Sequence, residues 1–166
     1  MLKFYKITHS ITILLFVSQI TSAQSKPKTR EQILSFSDSV CREAGVPEGL
    51  IRDIGNNETG WRFIRDFSGG TAHGDLQIVD NTFKHWYKKL GLKGGKTREN
   101  YLIVGIFYIK HLYDYYGSWK KARYAYARGH WKEPSKWTQL EKKFMGKIDW
   151  TKYDTVKVIK KDTVSP

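Results

Sequence analysis

One cysteine stands in the chain of 166 residues, which excludes an internal disulfide. That residue, Cys41, falls on the apolar face of a predicted helix, where a buried and inert thiol is expected rather than a nucleophile. Acidic residues are scarce, 16 against 29 Lys and Arg, for a formal net charge of +13. No apolar run reaches the roughly 20 residues that a membrane-spanning helix needs. Nor is there a repeat or a sign of a second domain, so one folded body is expected at this length. What is plentiful is aromatic: six Trp and ten Tyr, too many for a disordered chain.

The first 23 residues differ from the rest. Lys3 and Lys6 precede an apolar stretch from Ile11 to Ile20, broken by Ser18 and Gln19, and Thr21-Ser22-Ala23 follow. This is the pattern of a secretory signal peptide cleaved after Ala23, with Gln24 to Lys28 as a short polar linker. No Cys lies near that junction to carry a lipid, so a soluble mature protein without a stable membrane anchor is expected, periplasmic or secreted. Removing 1–23 takes two Lys and no acid and leaves a net charge of +11. Such a charge favours polyanions, whether nucleic acid, anionic lipid or the phosphate- and carboxylate-bearing cell envelope. The basic residues are spread along the chain without a nucleic-acid-binding motif, and export points to the envelope.

Apolar spacing divides the remainder into helices. Thr29 caps a helix carrying Ile33, Phe36, Val40 and Ala44, closed by Gly45 and Pro47. A second starts near Pro47 and runs to about Glu58 with Leu50, Ile51 and Ile54 inward. Between Gly60 and Ala72 the periodicity fails, and a loop or a small irregular hairpin is expected there, with any β structure in this stretch. Asp80 or Asn81 caps a third helix with Phe83, Trp86 and Leu90 inward; a basic, mobile turn follows from Lys93 to Lys96. Thr97 opens the longest helix, which Gly117 ends, and Ser118 caps the next, to about Ala127. A last helix is expected from Ser135 to Phe144, and then a polar tail over 151–166. The fold class is mainly α with at most a small β hairpin.

Three short segments carry the chemistry: Glu58-Thr59-Gly60, Gly74-Asp75-Leu76-Gln77-Ile78 and Ala125-Tyr126-Ala127-Arg128-Gly129. In order and spacing they resemble the lytic transglycosylases of the soluble-lytic type and the related goose-type lysozymes, whose pattern is Glu-Ser, Gly-Leu-Met-Gln and Ala-Tyr-Asn-x-Gly. The resemblance runs from about Gly45 to Trp131, taking in Gly45-Val46-Pro47, Ser68, Ala72, Thr82, Gly105, Tyr108, Leu112 and Tyr116-Gly117. Departures are Thr59 for Ser, Asp75-Leu76 for Leu-Met and Ala127 for Asn, with Asn100 one residue out of register.

The resemblance implies a lysozyme-like domain over 29–150 that cleaves the MurNAc to GlcNAc β-1,4 bond of peptidoglycan without metal or organic cofactor. Glu58 is then the catalytic residue. A glycosidic oxygen is a poor leaving group and needs a carboxylic acid to protonate it, one held in apolar surroundings such as Ile54, Trp61 and Phe63 can build. Lytic chemistry in this family uses one Glu twice, as acid and then as base toward the muramyl 6-hydroxyl, and leaves a 1,6-anhydromuramyl end. Substrate contacts are implied for Ser68, Asp75, Gln77 and Tyr126. Tyr126 in the family turns its hydroxyl to the catalytic carboxyl, while Gln77 either contacts a sugar or satisfies loop backbone. Trp131 is the Trp placed to stack on a pyranose; Trp86, Trp119 and Trp137 are expected mostly in the core.

Other readings stay open at this point. Asp66, Asp75 and Asp80 are candidate second carboxylates for goose-type hydrolysis, though Asp80 reads better as a helix cap. A non-catalytic wall-binding protein fits the altered motif residues. A zinc peptidase fits the spacing of His73 and Asp80 but lacks the Glu-x-x-His that should follow. Housekeeping wall turnover and wall opening for an envelope-spanning secretion or conjugation apparatus both suit a small exported enzyme.

Overall fold

The computed structural model describes residues 29–66 and 69–154. The expected signal peptide and linker, Ser68 and the tail from 155 onward lie outside the described residues. The described residues are mainly helical: α1 (Arg30–Ala44), α2 (Glu48–Glu58), β1 (Ala72–His73), β2 (Ile78–Val79), α3 (Asp80–Lys89), α4 (Arg98–Tyr116), α5 (Trp119–Arg128) and α6 (Gln139–Met145), with 3-10 turns at Pro134–Lys136 and Trp150–Lys152. Among them no helix is long and apolar enough to cross a membrane. They form two compact units divided between His111 and Leu112, inside α4.

In the first unit, α1 starts as its sequence dictates. Thr29 Oγ1 accepts from the Gln32 N–H and the Gln32 side chain accepts from the Thr29 N–H, a reciprocal capping box. Gly45 closes the helix in the left-handed region at φ 66°, where a Cβ is disfavoured. Ile33, Phe36, Val40, Leu50, Ile51 and Ile54 of α1 and α2 are buried, and so are all seven residues Tyr101 to Phe107 of α4. Cys41 is buried with them, and that burial pushes its thiol up to about 12.

Three expectations are corrected in this unit. Val79, not Asp80 or Asn81, is the N-cap of α3; Asp80 is the first helical residue, and its carboxylate accepts from Lys96 Nζ at 2.8 Å. The Lys93–Lys96 turn is also tied down rather than loose. Asn100 Nδ2 donates to the Lys93 and Gly95 carbonyls, both at 2.8 Å, and the Gly95 N–H donates to the Tyr87 hydroxyl at 2.9 Å. The hairpin falls later than expected: β1 and β2 pair antiparallel, Ala72 with Val79 and His73 with Ile78, and a single bridge joins Arg65 to His73.

The second unit is organised by α5. Ser118 Oγ accepts from the Lys121 N–H, and Asp154 accepts from the backbone of Trp119 and Lys120 and from the Ser118 hydroxyl, so a residue assigned to the tail completes the helix cap. The last helix is shorter than expected. It begins at Gln139, because Thr138 and Glu141 form a capping box, while Pro134–Lys136 is a separate 3-10 turn. Glu141 accepts from the Tyr124 hydroxyl at 2.7 Å, the Thr138 N–H at 2.7 Å and Lys132 Nζ at 3.0 Å, donors that together hold its carboxyl down at about 2. A folded-state pKa below the unfolded one means stability that is present above about 4.5 and is lost as pH falls toward 2. Thermal melts across that window should show Glu141→Gln less stable than wild type at neutral pH and the two converging in acid. Parallel curves would mean the cluster does not couple to folding.

Candidate active site

Glu58 is the last residue of α2 and is half-buried. The helix stops there because three successive N–H groups, of Thr59, Gly60 and Trp61, converge on the Gly55 carbonyl at 3.0 to 3.3 Å. Gly60 and Trp61 both take left-handed backbone, φ 64° and 61°. For a tryptophan this conformation is strained by about 1–2 kcal/mol, so packing has to hold it. The indole does so: it lies flush on Gly55, where an added Cβ would meet three ring atoms at 2.6 to 2.9 Å, and Nε1 donates to the Arg52 carbonyl at 3.3 Å. Gly55 is three residues before Glu58, so Trp61 walls the helix face adjoining it.

The second motif segment turns sharply at Gly74, φ 87°, and at Gln77, φ 52°. Gln77 Nε2 donates to the Gly74 carbonyl at 2.9 Å and the Ile64 carbonyl at 3.2 Å, which fixes the orientation of the amide. Its Oε1 accepts from no described residue. Leu76 and Ile78 are buried against Gly105 of α4, where a Cβ would sit 2.7 Å from Leu76 Cδ1 and 3.0 Å from Ile78 Cδ1. The glycine of the long helix is what admits the hairpin this closely.

The two segments are bonded to each other. Thr59 Oγ1 donates to the Asp75 carbonyl at 3.0 Å and accepts from the Arg62 N–H at 3.2 Å. Arg98, the first residue of α4, donates from Nη2 and Nε to the two Asp75 carboxylate oxygens at 2.6 and 2.9 Å, and from Nη2 to the Trp61 carbonyl at 3.0 Å. The Asp75 side chain has 0% exposure. Asp75 is therefore corrected from a substrate contact to a structural ion: a carboxylate with no exposed surface and a bidentate guanidinium on it offers nothing to a sugar. Sequence reasoning missed Arg98, although an acidic residue between the apolar or small residues of the Gly74–Ile78 segment signals a buried cation nearby.

Phe63 stacks on His73 at 4.6 Å and meets Tyr101 edge-on at 5.8 Å, so it belongs to an aromatic cluster. Burial, then the cations of Arg65 and Lys96, lower the pKa of His73. Among the described residues no three His, Cys, Asp or Glu side chains gather in a group fit to hold a metal ion.

Tyr126 and Trp131 belong to the second unit. Tyr126 is half-buried on α5, its ring 5.5 Å from the guanidinium carbon of buried Arg123, which also lies 4.4 Å from the Phe144 ring. Trp131 packs edge-on against Tyr124 at 5.4 Å and Trp137 at 5.6 Å, with its indole N–H donating to Glu133 at 3.1 Å. Its polar handle is thus engaged within the unit. Trp86 and Trp119 are buried, as core residues are. Comparison with protein-family models, with curated proteins and with solved structures finds no match.

Proposed function

We propose that the chain is an exported, lysozyme-like lytic transglycosylase that cleaves the MurNAc to GlcNAc β-1,4 bond of peptidoglycan with Glu58 as its single acid and base. The observation that carries this reading is the bonding of the Glu58-Thr59 segment to the Gly74–Gln77 segment through Thr59 Oγ1 and the Asp75 carbonyl, 16 residues apart. Two motif segments that have to act together are held together.

In the first step the Glu58 carboxylic acid gives its proton to the glycosidic oxygen as the bond to the muramyl C1 breaks. In the second, the muramyl 6-hydroxyl oxygen bonds to C1 and its proton passes to the Glu58 carboxylate. Water is not consumed, the acid is regenerated, and the product carries a 1,6-anhydro ring. The Gln77 Oε1, aimed by the two backbone bonds of its nitrogen, is the acceptor for a sugar hydroxyl or acetamido N–H. Engagement of Asp75 by Arg98 removes one of the candidate second carboxylates and favours lytic over hydrolytic cleavage.

Mass spectrometry of the muropeptides that the mature protein releases from purified sacculi tests this. Anhydromuramyl ends are expected. Reducing ends would make the protein a hydrolase and turn attention to Asp66; binding without products would make it a wall-binding protein. Tyr126→Phe keeps the ring on Arg123 and removes only the hydroxyl that the resemblance implicates in the reaction, so turnover should fall about tenfold. Unaltered kinetics would remove Tyr126 from the reaction.

A further inference from the structure

We infer that Arg98 is a positioning residue whose guanidinium, through Asp75 and the Trp61 carbonyl, sets the Glu58 carboxyl in register with the Gln77 amide. The inference rests on the glycan-cleaving role proposed for Glu58. Arg98 is anchored by the first turn of α4, a rigid base, and its planar fork makes three bonds in fixed directions, two to Asp75 and one to Trp61. Asp75 is also the residue whose carbonyl receives the Thr59 hydroxyl, so the contacts run from α4 to both segments and then from one to the other. Glu58 directly precedes Thr59, and Gln77 lies two residues beyond Asp75.

Backbone strain gives this bracing a purpose. Trp61 and Gln77 are the non-glycine residues with positive φ among those described, one on each joined segment. Strained turns that carry reacting groups persist only where their surroundings hold them. Arg98 is 23% exposed, and its Nε and Nη2 are directed at protein acceptors, which suits bracing. The Thr59 and Asp75 departures from the family pattern belong to the same network, so they form one device with Arg98 rather than separate losses.

Three variants test the device. Arg98→Lys keeps the charge but cannot direct three bonds from one ammonium. Thr59→Val keeps the shape and removes the hydroxyl. Arg98→Met with Asp75→Leu replaces the buried pair by apolar groups of similar size, leaving no uncompensated ion to unfold the chain. Each is expected to lower kcat on sacculi ten- to a hundredfold, on the order that a misplacement of about 1 Å produces, with KM within about threefold of wild type. Hydrogen exchange of the backbone amides in 59–62 and 74–78 should quicken in each, a readout independent of activity. Wild-type kcat in all three variants would overturn the inference, whether or not the amides exchange faster. If the wild-type protein itself releases no glycan products, the glycan-cleaving role fails and the positioning of Glu58 fails with it, whereas an active wild type beside unaffected variants sinks the positioning role alone.

Discussion

If Glu58 is the acid and base proposed above, Glu58→Gln is expected to release soluble muropeptides about 10²- to 10⁴-fold more slowly than wild type, the usual contribution of a general acid or base, with the fold intact. Glutamine matches glutamate in volume and still hydrogen-bonds, but it has no acidic proton for the leaving oxygen and takes none back from the 6-hydroxyl. Both proposed half-reactions should therefore fail at one substitution. Glu58 lies at the end of α2, half-buried and outside the hydrophobic core, where a substitution of equal volume is expected to leave the fold in place. The measurement is the rate of anhydromuropeptide release beside a thermal melt; residual activity near wild type would end the assignment.

Gly55→Ala produces the largest loss of stability expected here. Alanine is the better helix former by roughly 1 kcal/mol, so at an ordinary exposed position the change stabilises. Here the new methyl would stand 2.6 to 2.9 Å from Cε2, Cζ2 and Nε1 of Trp61, all atoms of a rigid ring. Overpacking of this kind costs about 1–3 kcal/mol, and expelling the indole instead would forfeit burial whose truncation elsewhere costs about 3–5 kcal/mol. The net loss is about 2 kcal/mol, a fall in melting temperature of roughly 4–8 °C for a chain of this length. Activity should fall as well, because Trp61 supplies an acceptor to Arg98. An unchanged or raised melting temperature would show that the ring gives way without loss.

Helix ends were legible wherever local chemistry decides them. Thr29 with Gln32, Gly45 and Ser118 act through neighbours within four residues, so their roles follow from spacing alone. Asp80 misled because it has the composition of a cap, yet its carboxylate is drawn to Lys96, 16 residues away. Ser135 misled in the same way: the better box, Thr138 with Glu141, wins the helix start, and Glu141 is further fixed by Tyr124. Glu58, Gln77 and Tyr126 stand out as candidates in the sequence because the motif resemblance rests on order and spacing. Asp75 could not be assigned correctly, since its partner Arg98 lies 23 residues on and belongs to no motif. Local sequence reports what a residue can do, and only the tertiary partner decides which of those things it does.

Burial of Cys41 has a practical side. A thiol with no exposed surface, held at about 12, is invisible to alkylating reagents at neutral pH until α1 opens. As the chain has no other cysteine, each molecule that takes up one label has opened its first unit at least once. Timed alkylation read by mass thus serves as a clock for that opening, and it needs no engineered probe.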